Sequence, residues 1–214
     1  MRLVLGVLDD INFRLIKGDS TSRQLLERAK DEDEVQQWLV EQIQSRSRGR
    51  YHAYREAQVA KGDKPDVIVA SSAAQCEVAI EVKHGGKGWT ATELEQALRN
   101  QLAVNYLKPA TRRHGILVIT HHRDRQWLNP STRKPMSFDA VIGWLSNISA
   151  TLLETDSGAI EVQCVGINAF RDATRIPKVK PKPAKKSATK TKSQRRPVKA
   201  RRPLRRRTGA HLSA

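Results

Sequence analysis

Cysteine is nearly absent: Cys76 and Cys164 are the only two in 214 residues. Each sits in or beside an apolar run, which reads as two buried thiols rather than a disulfide or a metal site. That excludes a secreted domain stapled by disulfides. Long apolar runs are missing too. Residues 3–8 are apolar, but Asp9 and Asp10 stop the run, and it is too short to span a membrane. No small-residue cleavage site follows it. There is no CxxC pair, no HExxH, no Gly-x-Ser-x-Gly and no Gly-Lys-Ser/Thr phosphate loop, so zinc, serine-hydrolase and P-loop chemistry lack their residues. No internal repeat is present. An intracellular protein with no membrane partner is expected.

Acids are missing from one stretch. Residues 171–214 hold 17 of the 39 Lys and Arg and a single acid, Asp172. The rest of the chain carries 22 basic and 21 acidic residues, so it is near neutral at +1 while the tail carries +16. The isoelectric point near 10.4 therefore describes the tail. Its clusters, Lys185-Lys186, Arg195-Arg196, Arg201-Arg202 and Arg205-Arg206-Arg207, are spaced by Pro, Ala, Ser and Thr. Large apolar side chains are too few to offset ordering entropy, so a disordered arm is expected. Charge of this density points to nucleic-acid backbones, bound through counterion release without sequence readout. No apolar anchor accompanies it, which disfavours an acidic membrane surface. The expected location is cytoplasmic and nucleoid-associated, or nuclear in a eukaryote.

The hydrophobic share is 38% and the charged share 29%. Three segments are expected: a leader at 1–30, a folded domain at 31–170 and the tail at 171–214. Residues 1–17 suit either a helix or a strand, and 18–23 read as a loop. Asp31-Glu32-Asp33-Glu34 opens a helix, because carboxylates suit the positive end of the helix dipole. Val35, Trp38, Leu39 and Ile43 give it one apolar stripe. The run 66–70 is β-branched and reads as a strand. Residues 77–83 alternate, with Val78, Ile80 and Val82 on one face and Glu77, Ala79, Glu81 and Lys83 on the other. A Gly-rich break follows at 85–88. Thr92 and Glu95 form an expected capping box for a helix to about residue 107. A buried strand at 115–120, a helix at about 137–153 and a strand at 159–167 complete the order. The fold class is α/β, with a central mixed sheet flanked by helices.

The chemistry concentrates where the first two strands of a hairpin meet. Period-two alternation puts Glu81 and Lys83 on one face. An antiparallel pairing brings Asp66 level with Glu81. Two carboxylates and an ammonium then converge at one end of the sheet. Paired carboxylates repel and favour a cation, and Mg²⁺ takes oxygen ligands while keeping several waters. Mn²⁺ substitutes, because it also favours oxygen. In a phosphodiester hydrolase such a metal polarises the phosphate and activates a water.

Pro65-Asp66 … Glu81-Val82-Lys83 resembles the signature of the PD-(D/E)xK, or restriction-endonuclease-like, nucleases. The resemblance covers roughly residues 31–170 and implies an αβββαβ core. It implies Asp66, Glu81 and Val82 as the metal-binding set and Lys83 as the catalytic lysine. It also implies an additional acid, either Glu34 on the first helix or Glu56 nearer Asp66. Some branches carry a Gln and a Tyr four apart on the following helix; Gln101 and Tyr106 are five apart, and Gln101 and Gln96 stand as supporting residues. The function so implied is Mg²⁺-dependent DNA endonuclease activity in defence, restriction or DNA processing. A homodimer, or a separate recognition or NTPase subunit, is compatible with it.

Weaker candidates lie around this set. His84 suits an exposed loop position or a phosphate contact, and His121-His122 with Arg123 and Arg125 suit a phosphate-contacting loop or a polar strand exit. Trp89 and Trp127 suit base stacking or packing. An alternative of another class is a non-catalytic nucleic-acid-binding protein, with a degraded nuclease fold and a histone-like tail. RNA is as admissible as DNA.

Removing residues 171–214 should strongly weaken DNA affinity at low salt. The slope of log K against log salt, roughly −0.9 per phosphate neutralised on duplex DNA, should become much shallower. Binding of the full and shortened chains over a salt series measures this; unchanged affinity and slope would show that the tail is not the tether.

Overall fold

The computed structural model describes residues 1–18, 20–55, 64–152 and 161–170. Glu56 and the expected disordered tail at 171–214 lie outside the described residues. The described elements are helices α1 (Arg2–Lys17), α2 (Ser20–Arg28) and α3 (Glu32–Ser45), then strands β1 (Tyr51–Tyr54), β2 (Val67–Ser71) and β3 (Glu77–His84). Helix α4 (Ala91–Gln96) continues as a π-helix over Ala97–Tyr106. Strands β4 (His114–His121), β5 (Trp127–Leu128) and β6 (Pro135–Met136), helix α5 (Phe138–Leu152) and strand β7 (Glu161–Asn168) follow. No described helix is long and apolar enough to cross a membrane.

The central sheet has the order β1-β2-β3-β4-β7. The β1–β2 and β2–β3 pairs are antiparallel, while β3–β4 and β4–β7 are parallel, so the sheet is mixed as expected. Parallel neighbours need long crossovers, and α4 with its π-helical extension and then α5 supply them. Helices cover both faces, which is why β4 reads as a continuous apolar run. The alternation divides the core in two. Val78, Ile80 and Val82 of β3, with Ile116 and Val118 of β4, pack under α1, α2 and α3. Ala79, Leu117 and Ile119 pack under α4, the π-helix and α5. Burying a Leu- or Val-sized side chain contributes about 1.5–3 kcal/mol, so both layers anchor the sheet.

Four local expectations change. Residues 1–30 form part of the folded body: Val4, Val7, Leu8, Ile11, Leu15 and Leu26 join the first core layer. Residues 20–23 belong to α2, not to a loop. Ser and Thr are weak formers in a helix interior but suit a first turn, and tertiary burial of Leu26 overrides local propensity. The capping box is Thr90 with Glu93, not Thr92 with Glu95. The main-chain N–H of Glu93 donates to Thr90 Oγ1 at 3.2 Å, and Glu93 Oε2 accepts the Thr90 N–H at 2.7 Å. Both pairs fit the motif, but the Thr90 register buries Ala91 and Leu94, and Glu95 pairs with Arg99 at 2.8 Å instead. Both cysteines are free thiols; Cys164 is buried, and Cys76 is partly exposed rather than buried.

The end of β3 is fixed by a close backbone approach. Gly85 N–H donates to the Thr120 carbonyl at 2.8 Å. A Cβ at Gly85 would lie 2.0 Å from that oxygen, so only glycine fits. The chain therefore leaves β3 tight against β4, next to Lys83.

Candidate functional site

The β2–β3 register sets the site. Val69 pairs with Val78 and Val67 with Ile80. Continuing that register past the end of β2 places Asp66 opposite Glu81 and Pro65 opposite Val82. Asp66 Oδ2 accepts the Val82 N–H at 2.7 Å. In an extended strand a residue's N–H and C=O point to the same side, so the Val82 carbonyl also faces the β2 side. Pro65, next in the ladder, has no N–H to give it. The proline thus ends β2, the aspartate takes the amide, and a main-chain oxygen faces the same corner as two carboxylates.

Glu81 and Lys83 share a face, as alternation requires. Lys83 Nζ lies 2.7 Å from Glu81 Oε1, and the two side chains are 6% and 3% exposed. Glu81 Oε2 is enclosed and accepts no hydrogen bond among the described residues. Lys83 Nζ also lies 4.6 Å from the centre of the Trp89 ring, on its face. Such a contact is attractive because the ring face is electron-rich.

A further acid arrives from the first turn of α3, and it is Glu32 rather than Glu34. Glu32 Oε1 accepts the Trp89 indole N–H at 2.7 Å and the His84 N–H at 3.2 Å. Its Oε2 lies 4.0 Å from Lys83 Nζ. Glu34 is used in the helix cap: its N–H donates to Asp31 Oδ1 and its Oε2 accepts the Lys30 N–H, each at 3.0 Å. Within four consecutive acids the sequence carries no signal that separates the capping residue from the site residue. The capping position is decided by where the helix starts.

Charge and burial set the protonation. Burial is the largest influence on Asp66 and, with repulsion from Glu81, pushes its carboxyl up to about 7; the Val82 N–H and Lys83 oppose this only in part. Burial likewise pushes Glu81 above the usual carboxylate range despite the pull of Lys83, with Tyr106 adding a smaller downward pull. For Lys83 burial favours the neutral amine, but Glu81, Glu32 and Asp66 outweigh it and hold the ammonium above its ordinary range. Lys83 faces Glu81 and Glu32 directly and is drawn by Asp66 as well. Desolvated carboxylates without matching cations are costly, so the corner favours an added positive charge. The donors present are all oxygens, which suits a hard cation such as Mg²⁺. Among the described residues, no three His, Cys, Asp or Glu side chains form a metal-holding group. The oxygens at this corner that could hold such an ion are those of Asp66, Glu81 and the Val82 carbonyl.

The other sequence candidates separate clearly. Gln101 is half-buried on the π-helix and hydrogen-bonds to none of Asp66, Glu81 or Lys83. Tyr106 is buried and influences Glu81. In a π-helix the bonding runs i to i+5, so residues five apart fall on one side as they do not in an α-helix. Gln96 ends α4 and is exposed.

The histidines are structural parts of the strand ends. His84, His121 and His122 are 5%, 7% and 5% exposed, so His84 is not the exposed loop residue its position suggested. His84 Nδ1 accepts the Gly86 N–H at 2.9 Å, leaving Nε2 to donate to the Ala29 carbonyl at 3.1 Å. His122 stacks on His84 at 4.3 Å. Burial and the neighbouring His84 hold His122 down near 3, so it is neutral. His121 stacks on Phe138 at 4.5 Å. Trp127 is buried, which settles it as packing.

No family model, curated protein or solved structure matches the chain.

The site generates a stability signature. Asp66 has an ordinary pKa of 3.8 and a folded value of about 7, so between these the folded state holds more protons than the unfolded one. Stability of the metal-free protein should therefore be highest at the acid end of that window and fall as pH rises through it. Melting curves in chelator across this window should show the decline, and Asp66→Asn should flatten it. An equal decline in Asp66→Asn would place the titrating group elsewhere.

Proposed function

We propose that the protein is a metal-dependent nuclease of the restriction-endonuclease-like, PD-(D/E)xK kind, acting on phosphodiester bonds of DNA. The observation that carries this reading is the convergence of Asp66, Glu81 and Lys83 at the end of β2 and β3. The element order from α3 through β1, β2, β3 and α4 to β4 agrees with the αβββαβ core implied by the motif.

Asp66, Glu81 and the Val82 carbonyl would hold Mg²⁺, with Mn²⁺ as a substitute. A divalent ion there supplies Lewis-acid polarisation of the phosphate and a water of lowered pKa. Lys83 stays protonated among its carboxylates, so it donates to a phosphate oxygen or orients the attacking water and does not act as a base. Glu32 anchors Lys83 and the Trp89 edge from the α3 side. Apolar layers lie on both sides of β3. The tail supplies affinity for the nucleic-acid backbone, and tethering raises the local substrate concentration at the site.

Purified protein should nick plasmid DNA with Mg²⁺ and not with EDTA. Asp66→Asn, Glu81→Gln and Lys83→Met should each reduce the rate by roughly 10²–10³-fold, the size of losing one preorganised transition-state contact, with circular dichroism unchanged. Cleavage at the wild-type rate in all three would remove the assigned site. Binding of DNA with no cleavage under any metal would favour the non-catalytic alternative.

A further inference from the structure

Arg125 lies in the loop after β4, where a basic side chain next to a phosphodiester site would be expected to meet phosphate. Its guanidinium is already engaged. Nη1 donates to the carbonyls of Gly85, at 3.2 Å, and of Lys87; Nη2 donates to the carbonyl of Trp89 at 2.6 Å. The guanidinium also lies over the Trp127 ring, 4.9 Å from its centre, and the Trp127 indole N–H donates to the same Trp89 carbonyl at 3.1 Å. All three carbonyls belong to the connection from β3 to α4.

That connection reads Gly85-Gly86-Lys87-Gly88-Trp89. Glycine has more backbone freedom to lose than any other residue, so such a loop holds one shape only when something fixes it. A planar guanidinium spreads five N–H donors in a fixed fork across spaced carbonyls, whereas a lysine ammonium gathers its three donors at one point. The loop's last residue enters the site directly: Trp89 donates its indole N–H to Glu32 at 2.7 Å and lays its ring against Lys83 Nζ at 4.6 Å.

We propose that Arg125 is a positioning residue: by clasping 85–89 it holds Trp89 as the wall that fixes Lys83 and Glu32 in place. Its catalytic consequence rests on the nuclease reading above; the placement of Trp89 does not.

The test labels the full chain with 5-fluorotryptophan and follows ¹⁹F resonances and cleavage together. Loss of one resonance in Trp89→Phe assigns Trp89; Trp38 on α3 and Trp144 on α5 serve as references, and Trp127 is expected to move because it touches Arg125. In Arg125→Met and Arg125→Lys the Trp89 resonance should shift, with Trp38 and Trp144 unchanged. The kcat for plasmid cleavage should fall roughly 10–100-fold, the cost of a misplacement of about 1 Å, with KM for DNA near wild type. Should Arg125→Met fail to fold, Arg125→Lys carries the comparison. A Trp89 resonance unchanged in the folded variants overturns the clasp. A shifted resonance with unchanged kcat overturns the positioning role, and a raised KM with unchanged kcat makes Arg125 a DNA contact instead. If the wild type itself does not cleave, the nuclease reading fails while the Trp89 resonance still decides the clasp.

Discussion

The site depends on an imbalance of buried charge. Asp66 and Glu81 are brought level by strand pairing, and Glu32 approaches from a separate helix. Lys83 is held charged by all three. Burial raises the carboxyls and attraction holds the ammonium, so the corner sits between protonation and cation binding. Replacing such a group with apolar side chains commonly stabilises a protein. Its retention inside a well-packed sheet is understandable where the imbalance has a use.

The fold turns that imbalance into a geometry. The site lies at the junction of the antiparallel and parallel halves of the sheet, where β3 has neighbours on both sides. Pro65 matters there for what it lacks. Without an N–H it gives the Val82 carbonyl no ladder partner, while Asp66 accepts the Val82 N–H. On the other side Gly85 allows β3 to end flush against β4. The His84 ring stacks on His122 beside the site, and Asp31 caps the start of α3.

Period-two alternation made Glu81 and Lys83 legible as a same-face pair, because facing in a strand is a local property. The pairing of Asp66 with Glu81 was legible because a short turn between two strands leaves few registers. Contacts between distant segments were not. Glu32 sits in a run of acids that all suit a helix start, and only the docking of α3 beside Trp89 distinguishes it. Thr90 and Thr92 each open a valid capping motif, and core burial of Ala91 and Leu94 chose between them. The N-terminal segment reads as weakly patterned because α2 begins with Ser-Thr-Ser, yet Leu8 and Leu26 are fully buried. Arg125 looks like a free cation in sequence, and its three carbonyl partners lie 36 to 40 positions earlier.

At the Asp66–Glu81 corner, binding of a divalent cation is expected to exchange for protons. Calorimetric titration of metal-free protein with Mn²⁺ near neutral pH, in two buffers of different ionisation heat, measures both quantities at once. The account predicts a saturable site whose occupancy releases protons, because Asp66 keeps its proton up to about 7 and a metal ligand must give it up. It also predicts that Asp66→Asn and Glu81→Gln lose the binding. Binding that survives in both variants, or no binding by the wild type at millimolar metal, would contradict it.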